Sequence, residues 1–161
     1  MASDTMKTIN DVPLILRREI EARMVEPFIR AFAKELGEEK TIEIVKSVVA
    51  GLAEEAGEGL AKTLGDNSLD SFVKNIMPIF STGGGLQYEV KEVTDDMARI
   101  DIVHCAYADM YKRLGMTDLG PILSCGRDES LIKGFNPDVE FIRKYTIMEG
   151  ESYCDFCLKK L

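Results

Sequence analysis

Apolar residues recur at about one helical turn through the first third of the chain and then switch to strict alternation. Leu16, Ile20, Met24, Phe28, Phe32 and Leu36, with polar residues between them, predict a helix over residues 11–36. Asn10 or Asp11 is placed to cap it, Pro13 falls in its first turn, and Gly37 ends it. Pro27 lies inside and predicts a kink or a split. Ile42, Val45, Val49, Leu52, Ala56 and Leu60 step by three and four and predict a second helix over residues 40–64. Its glycines, Gly51, Gly57 and Gly59, read as close helix packing or a broken end. A short helix over 68–76 precedes Met77-Pro78.

After the joint Ser81-Thr82-Gly83-Gly84-Gly85 the period becomes two. The triple glycine is no phosphate cradle, because a strand follows it rather than a helix opening with Lys-Ser/Thr. Residues 86–93 and 97–104 alternate around Thr94-Asp95-Asp96 and predict a hairpin. Residues 106–114 read as helix, stopped by Gly115, and Thr117 and Asp128 are placed to cap two further short helices, the second ended by Gly134. Residues 139–148 and 151–158 predict a second hairpin around Glu149-Gly150. The expected fold is α+β: N-terminal helices on a four-stranded antiparallel sheet, with short helices between two β-hairpins. The helical part, residues 1–82, needs the sheet part, residues 83–161, to complete its burial, so a single domain is expected.

Composition narrows the function classes. In 161 residues, 20 Lys and Arg stand against 28 Asp and Glu, for a net charge of −8. That balance disfavours sequence-independent nucleic-acid binding and docking on anionic membranes, both of which need clustered cations. The N-terminal segment lacks a basic region followed by an apolar stretch, and no apolar run is long enough to span a bilayer. The expected location is the cytoplasm, and the four cysteines are expected as reduced thiols.

All four cysteines lie at or beyond position 105, so candidate chemistry concentrates in the second half. His104 is the sole histidine; alternation from Ile100 and Ile102 puts it on their face, either as a satisfied core residue or as the base of a dyad. Cys105 falls where strand meets helix, a setting that favours a thiolate, with burial as a small apolar residue the alternative. Cys154 and Cys157 have the spacing of a zinc knuckle, yet on a strand they face opposite sides. Cys154 is instead expected on the core side, where it can meet Cys105 and Cys125. Those thiols, with His104, could hold a soft metal such as zinc; protonated beside a carboxylate, they would line a nucleophile site. Asp128 is either a helix cap or a general base. Arg127, Lys133 and Arg143 are candidate carboxylate binders or solvated charges, and Asn136-Pro137 reads as a turn.

Taken in order, His104-Cys105-x-Tyr107-x-Asp109, Leu114-Gly115, Cys125-x-x-Asp128, Gly134-x-Asn136-Pro137, Phe141-x-Arg143-x-x-Thr146, Glu149-Gly150 and Cys154-Asp155-Phe156 resemble the L-2-amino-thiazoline-4-carboxylic acid hydrolase family. The resemblance covers roughly residues 88–157, and Cys157 departs from it where an arginine or histidine is expected. It implies hydrolytic opening of a cyclic amidine-like ring to an N-carbamoyl amino acid. It also implies a catalytic set of Cys105, Cys125, Asp128 and Cys154, with substrate contacts from His104, Tyr107, Asn136, Arg143 and Asp155. Arg143 or Arg127 would pair with the substrate carboxylate, and Asp128 or Asp155 would move the proton. Cys105 would be a covalent nucleophile or, with Cys125 and Cys154, a lining for the sulfur. No resident cofactor is implied. The same order of elements resembles small-molecule-binding domains of the 4-vinyl reductase type and certain vesicle-transport particle subunits. That alternative predicts a non-catalytic binding or sensor domain, with a pocket of Met, Phe and Leu and no convergent carboxylate. The expected partners are a small-molecule substrate and, through the long helix pair, a second copy in a homodimer.

Overall fold

The computed structural model describes residues 8–161. The reading that no leader is present falls partly on residues 1–7, outside the described residues. The described residues open with a 3-10 turn, Ile9–Asp11, followed by α1 (Leu14–Leu36) and α2 (Glu38–Leu64), separated only by Gly37 at φ 88°. α3 (Leu69–Ser71) runs through a π turn, Phe72–Ile76, into α4 (Met77–Ser81). This helical stretch passes the predicted end at 76 because the widened turn precedes Pro78, which brings no N–H to an α-helical ladder.

β1 (Leu86–Val93) and β2 (Met97–Cys105) form the first hairpin. Then come α5 (Ala106–Arg113), α6 (Gly120–Leu123), α7 (Asp128–Phe135), β3 (Val139–Ile142) and β4 (Cys154–Lys160). All pairings are antiparallel, and the strand order β1-β2-β4-β3 joins the two hairpins through β2 and β4. The architecture is the expected α+β.

Two apolar clusters hold these parts together. In one, Ile100, Ile102, Phe156 and Leu158 of the sheet pack with Ala53, Phe72, Ile76, Met77, Ile132 and Phe135 of the helices. In the other, Ile15, Ala22 and Ile29 of α1 and Val49 of α2 meet Tyr107, Met110 and Tyr111 of α5. α2 and α7 touch through glycines: a Cβ on Gly57 would lie 2.0 Å from the Leu131 carbonyl oxygen, and one on Gly134 would lie 2.0 Å from that of Glu54. Of the three α2 glycines, only Gly57 serves close packing; Gly51 and Gly59 face open space.

Several local expectations are corrected. α1 is not divided at Pro27, which is exposed, so the carbonyl it leaves unpaired faces water. Neither Thr117 nor Asp128 caps a helix: the capping positions of α6 and α7 are Leu119 and Arg127, without side-chain bonds. The strand expected over 139–148 stops at Ile142 because Asp155 accepts the N–H groups of Lys144 and Tyr145 at 2.9 and 2.7 Å, drawing them off the ladder. Thr146 then caps a 3-10 turn, Ile147–Glu149, and Gly150 closes it at φ 102°. Glu149-Gly150 thus sits in a long connection over 143–153, not in a tight hairpin turn.

On α1, two apolar patterns face opposite ways. Its regular stripe of Leu16, Ile20, Met24, Phe28, Phe32 and Leu36 is 50–65% exposed. The side facing the protein is a second pattern, stepping three and four through Ile15, Arg18, Ala22, Val25 and Ile29. On α2, Ile44, Val48 and Leu52 are similarly exposed, while Thr41, Val49, Ala53 and Gly57 are buried.

Candidate functional site

The site begins with an irregularity in β2. Cys105 pairs with Leu86 and His104 with Gln87, but Ile102 pairs with Tyr88, leaving Val103 as an extra residue. Such a bulge resets the alternation of faces. Ile102 points inward, Val103 and His104 lie exposed, and Cys105 points inward again. At the end of β2, Cys105 becomes the residue preceding α5, and its Sγ accepts the Ala108 N–H at 3.4 Å. Two residues on, the Tyr107 hydroxyl donates to the Phe80 carbonyl at 3.1 Å, tying α5 to α4.

Cys125 and Asp128 come from the turn between α6 and α7, where Arg127 Nε donates to the Leu123 carbonyl at 2.8 Å and holds the turn closed. Cys154 is the first residue of β4 and accepts the Ile147 N–H on its Sγ at 3.3 Å. Arg143, just past β3, ion-pairs with Asp128 through Nη1, and its Nη2 donates to the Cys125 carbonyl at 3.4 Å. Its guanidinium lies 5.3 Å from the centre of the Phe141 ring and 5.7 Å from that of Phe156.

These side chains surround one half-open cavity of about 80 Å³, lined by Cys105, Tyr107, Ser124, Cys125, Arg127, Asp128, Arg143 and Cys154, together with Leu14 and Arg18 of α1 and an apolar wall of Phe80, Leu86, Ile102, Leu131 and Phe156. Three sulfurs distant from one another in sequence therefore face one space, beside one carboxylate and three guanidinium groups. Among the described residues, no three His, Cys, Asp or Glu side chains are grouped so as to hold a metal ion. The thiols face a shared space without meeting at a point.

Burial dominates the electrostatics. It pushes the Cys105 thiol up to about 11, outweighing the stabilisation its anion draws from the Ala108 N–H. It also raises Cys125, further assisted by Asp128, and Cys154. Of the two readings of Cys105, thiolate at a helix start or buried thiol, the balance favours the second: desolvation outweighs the helix start, and the resting cavity presents protonated thiols. Burial likewise raises Asp128 to about 6, against the opposing pull of Arg143. It holds Tyr107 well above the usual phenol range and lowers Arg127. Across the mouth, Glu21 contacts Arg18 at 2.5 Å and Arg127 at 3.5 Å, linking α1 to the α6–α7 turn.

The sequence profile of the L-2-amino-thiazoline-4-carboxylic acid hydrolase family matches residues 17–158. The chain belongs to this family. No curated protein matches it. Among solved structures, it is similar to the phenol-responsive sensory domain of the transcription activator PoxR, in complex with phenol, at 13% identity and a TM-score of 0.54 over 85% of this chain and 73% of that one. At that identity the likeness is one of fold.

Of the positions marked by the family resemblance, Cys105, Tyr107, Cys125, Asp128, Arg143 and Cys154 line the cavity. His104, Asn136 and Asp155 do not. The bulge turns His104 outward, where Nε2 pairs with Asp109 Oδ2 at 3.1 Å. Asn136 joins loops, donating to the Asn67 carbonyl at 2.8 Å and accepting the Asp138 N–H at 2.9 Å. Asp155 is occupied by the two backbone N–H groups described above. Arg18, Leu14, Phe80 and Leu86 were missed by sequence reasoning. Arg18 had a readable signal: it is the one charge within the inward stripe of Ile15, Ala22, Val25 and Ile29.

Proposed function

We propose that this chain is a hydrolase that opens a small cyclic amidine-like ring bearing a carboxylate, as in a 2-amino-thiazoline carboxylate. The observation that carries this reading is the convergence of Cys105, Cys125, Cys154, Asp128 and Arg143 on one cavity in a chain of this family. In the proposed reaction, water adds to the C=N carbon and the ring C–S bond breaks. Its electron pair leaves with sulfur, which takes up a proton, and the product is an N-carbamoyl amino acid with a free thiol. The cavity's guanidinium groups, Arg143 foremost, seat the carboxylate. Asp128, raised to about 6, moves the proton between water, ring nitrogen and leaving sulfur near neutral pH. The protonated thiols offer a polarisable lining and weak donors to that sulfur.

A second reading is supported by the cavity's apolar wall and by the fold likeness to a phenol-responsive sensory domain. In it, the same cavity holds a small aromatic ligand without turnover. The Phe and Leu of that wall fit the sensor reading, whereas the convergent carboxylate of Asp128 favours the hydrolase reading. Incubation with the aminothiazoline carboxylate, with and without a chelator, tests it: the product thiol should form, and formation should fall at least about tenfold in Asp128→Asn. Saturable binding without product would support the sensor reading instead. Undiminished turnover in Cys105→Ser would exclude covalent catalysis by that sulfur.

A further inference from the structure

We propose that the outer face of the α1–α2 hairpin is the contact between two copies of this chain. The stripe from Leu16 to Leu36 on α1, with Ile44, Val48 and Leu52 on α2, leaves nine large apolar side chains 47–65% exposed on two successive helices. At roughly 200 Å² for a whole large apolar residue, half exposure of these nine amounts to on the order of 900 Å². The largest apolar patch of an ordinary monomer is about 300–600 Å², and one side of a standard protein interface is about 800 Å². Steps of four drift by about 40° each along an α-helix, so one side presents only part of this sum, an area at the upper end of a monomer's largest patch and close to one side of a standard interface.

Charge selects the occupant. The whole chain is at −8; α1 carries Arg17, Arg18, Arg23, Arg30 and Lys34 against Glu19, Glu21, Glu26 and Glu35, and α2 carries Lys40, Lys46 and Lys62 against Glu38, Glu39, Glu43, Glu54, Glu55 and Glu58, so the hairpin is at −2. Most of the α1 charges are already engaged: Arg18 with Glu21, Arg23 and Arg113 with Glu19, and Arg30 with both Glu26 and Asp118. A hairpin of mixed charges with so small a net charge repels a second copy only weakly. A strongly charged partner would find no complementary field, and an anionic membrane would meet no cationic border. Two such hairpins brought face to face bury both stripes as a four-helix bundle with two-fold symmetry. The inner side of the same α1 carries Leu14 and Arg18 into the cavity, so one rigid element serves both surfaces.

The test is sedimentation velocity on the full chain from about 1 to about 100 µM, with far-ultraviolet circular dichroism on each variant. The wild type should run with the mass of two chains at the upper end. Met24→Glu and Val48→Glu should each raise the dimer dissociation constant by at least about a hundredfold with helix content retained, because a two-fold interface counts each substitution twice. Hydroxyl-radical oxidation of wild-type Met24 and Phe28, slow when concentrated and fast when diluted, gives the same answer without a variant. A monomeric wild type throughout overturns the proposal. So does a dimer indifferent to both substitutions, or a monomer that instead binds phosphatidylserine vesicles.

Discussion

Replacing Asp128 by asparagine isolates the cost of holding a carboxylate in the cavity. Burial moves this group from 3.8 to about 6. An acid whose folded pKa lies above its unfolded one keeps its proton longer in the native state. Its favourable contribution is fully present below the unfolded pKa and is lost as pH rises through the folded one. At about 1.36 kcal/mol per pH unit, that loss is about 3 kcal/mol across the window from pH 4 to just above 6. The substituted amide would not titrate and would not suffer the loss. The Arg143 ion pair forms only with the ionised carboxylate and opposes the burial, so it is already counted in the shift to about 6, and the remaining titrating groups cancel between the two proteins. Thermal unfolding of both from about pH 4 to 7.5 is the assay. The gap in Tm should move in favour of Asp128→Asn by roughly 6–12 °C across the window, at about 2–4 °C per kcal/mol for a chain of this size. A gap constant to within about 2 °C would show that burial does not govern this carboxyl. The wild type's kcat/KM should also show a limb near pH 6 that the variant lacks.

Other outcomes follow from the packing and the site. Gly57→Ala should cost about 3 kcal/mol or more in urea unfolding, because its Cβ meets backbone at 2.0 Å, whereas Gly51→Ala, facing open space, should gain about 1 kcal/mol. Iodoacetamide at about pH 8 should label Cys157 before Cys105, Cys125 or Cys154, read by peptide mass mapping, since burial raises those three thiols. Arg143→Lys, which cannot pair with a carboxylate bidentately, should raise KM for a carboxylate-bearing substrate about tenfold with less effect on kcat. His104→Ala should change turnover less than about twofold, because the side chain points away from the cavity.

The fold was legible because its elements follow two clean periods and its turns carry turn residues. The strands read over 86–93 and 97–104 form, the second running one residue further to Cys105, and the break at Ser81–Gly85 contains a 3-10 turn with Gly83 and Gly84 at positive φ. The errors occurred where tertiary groups outbid local pattern. Residues 143–148 carry strand-like residues, but the Asp155 carboxylate claims the N–H groups of Lys144 and Tyr145, and a residue distant along the chain leaves no local mark. α1 shows a deeper ambiguity. Periodicity reports that a face is apolar, never what covers it. Of its two apolar patterns, the more regular faces outward, and the one interrupted by Arg18 faces the core.

The site was half legible for a related reason. Residue types that match chemistry can be read in order, and Cys105, Cys125, Asp128, Arg143 and Cys154 do converge. What alternation could not supply was the phase of β2. With a regular strand, Ile100, Ile102 and His104 would share the inner face, and the thiol at 105 would look outward. One extra residue at Val103 exchanges the two, putting a buried thiol rather than an imidazole against the cavity. The exchange also changes the available chemistry. An imidazole beside Cys105 would draw its proton and make a thiolate, whereas here the nearby charged groups are Asp128, itself raised, and arginines already paired with carboxylates. Within the proposed hydrolase reading, this favours proton transfer through the Asp128 carboxylate over attack by a resting thiolate.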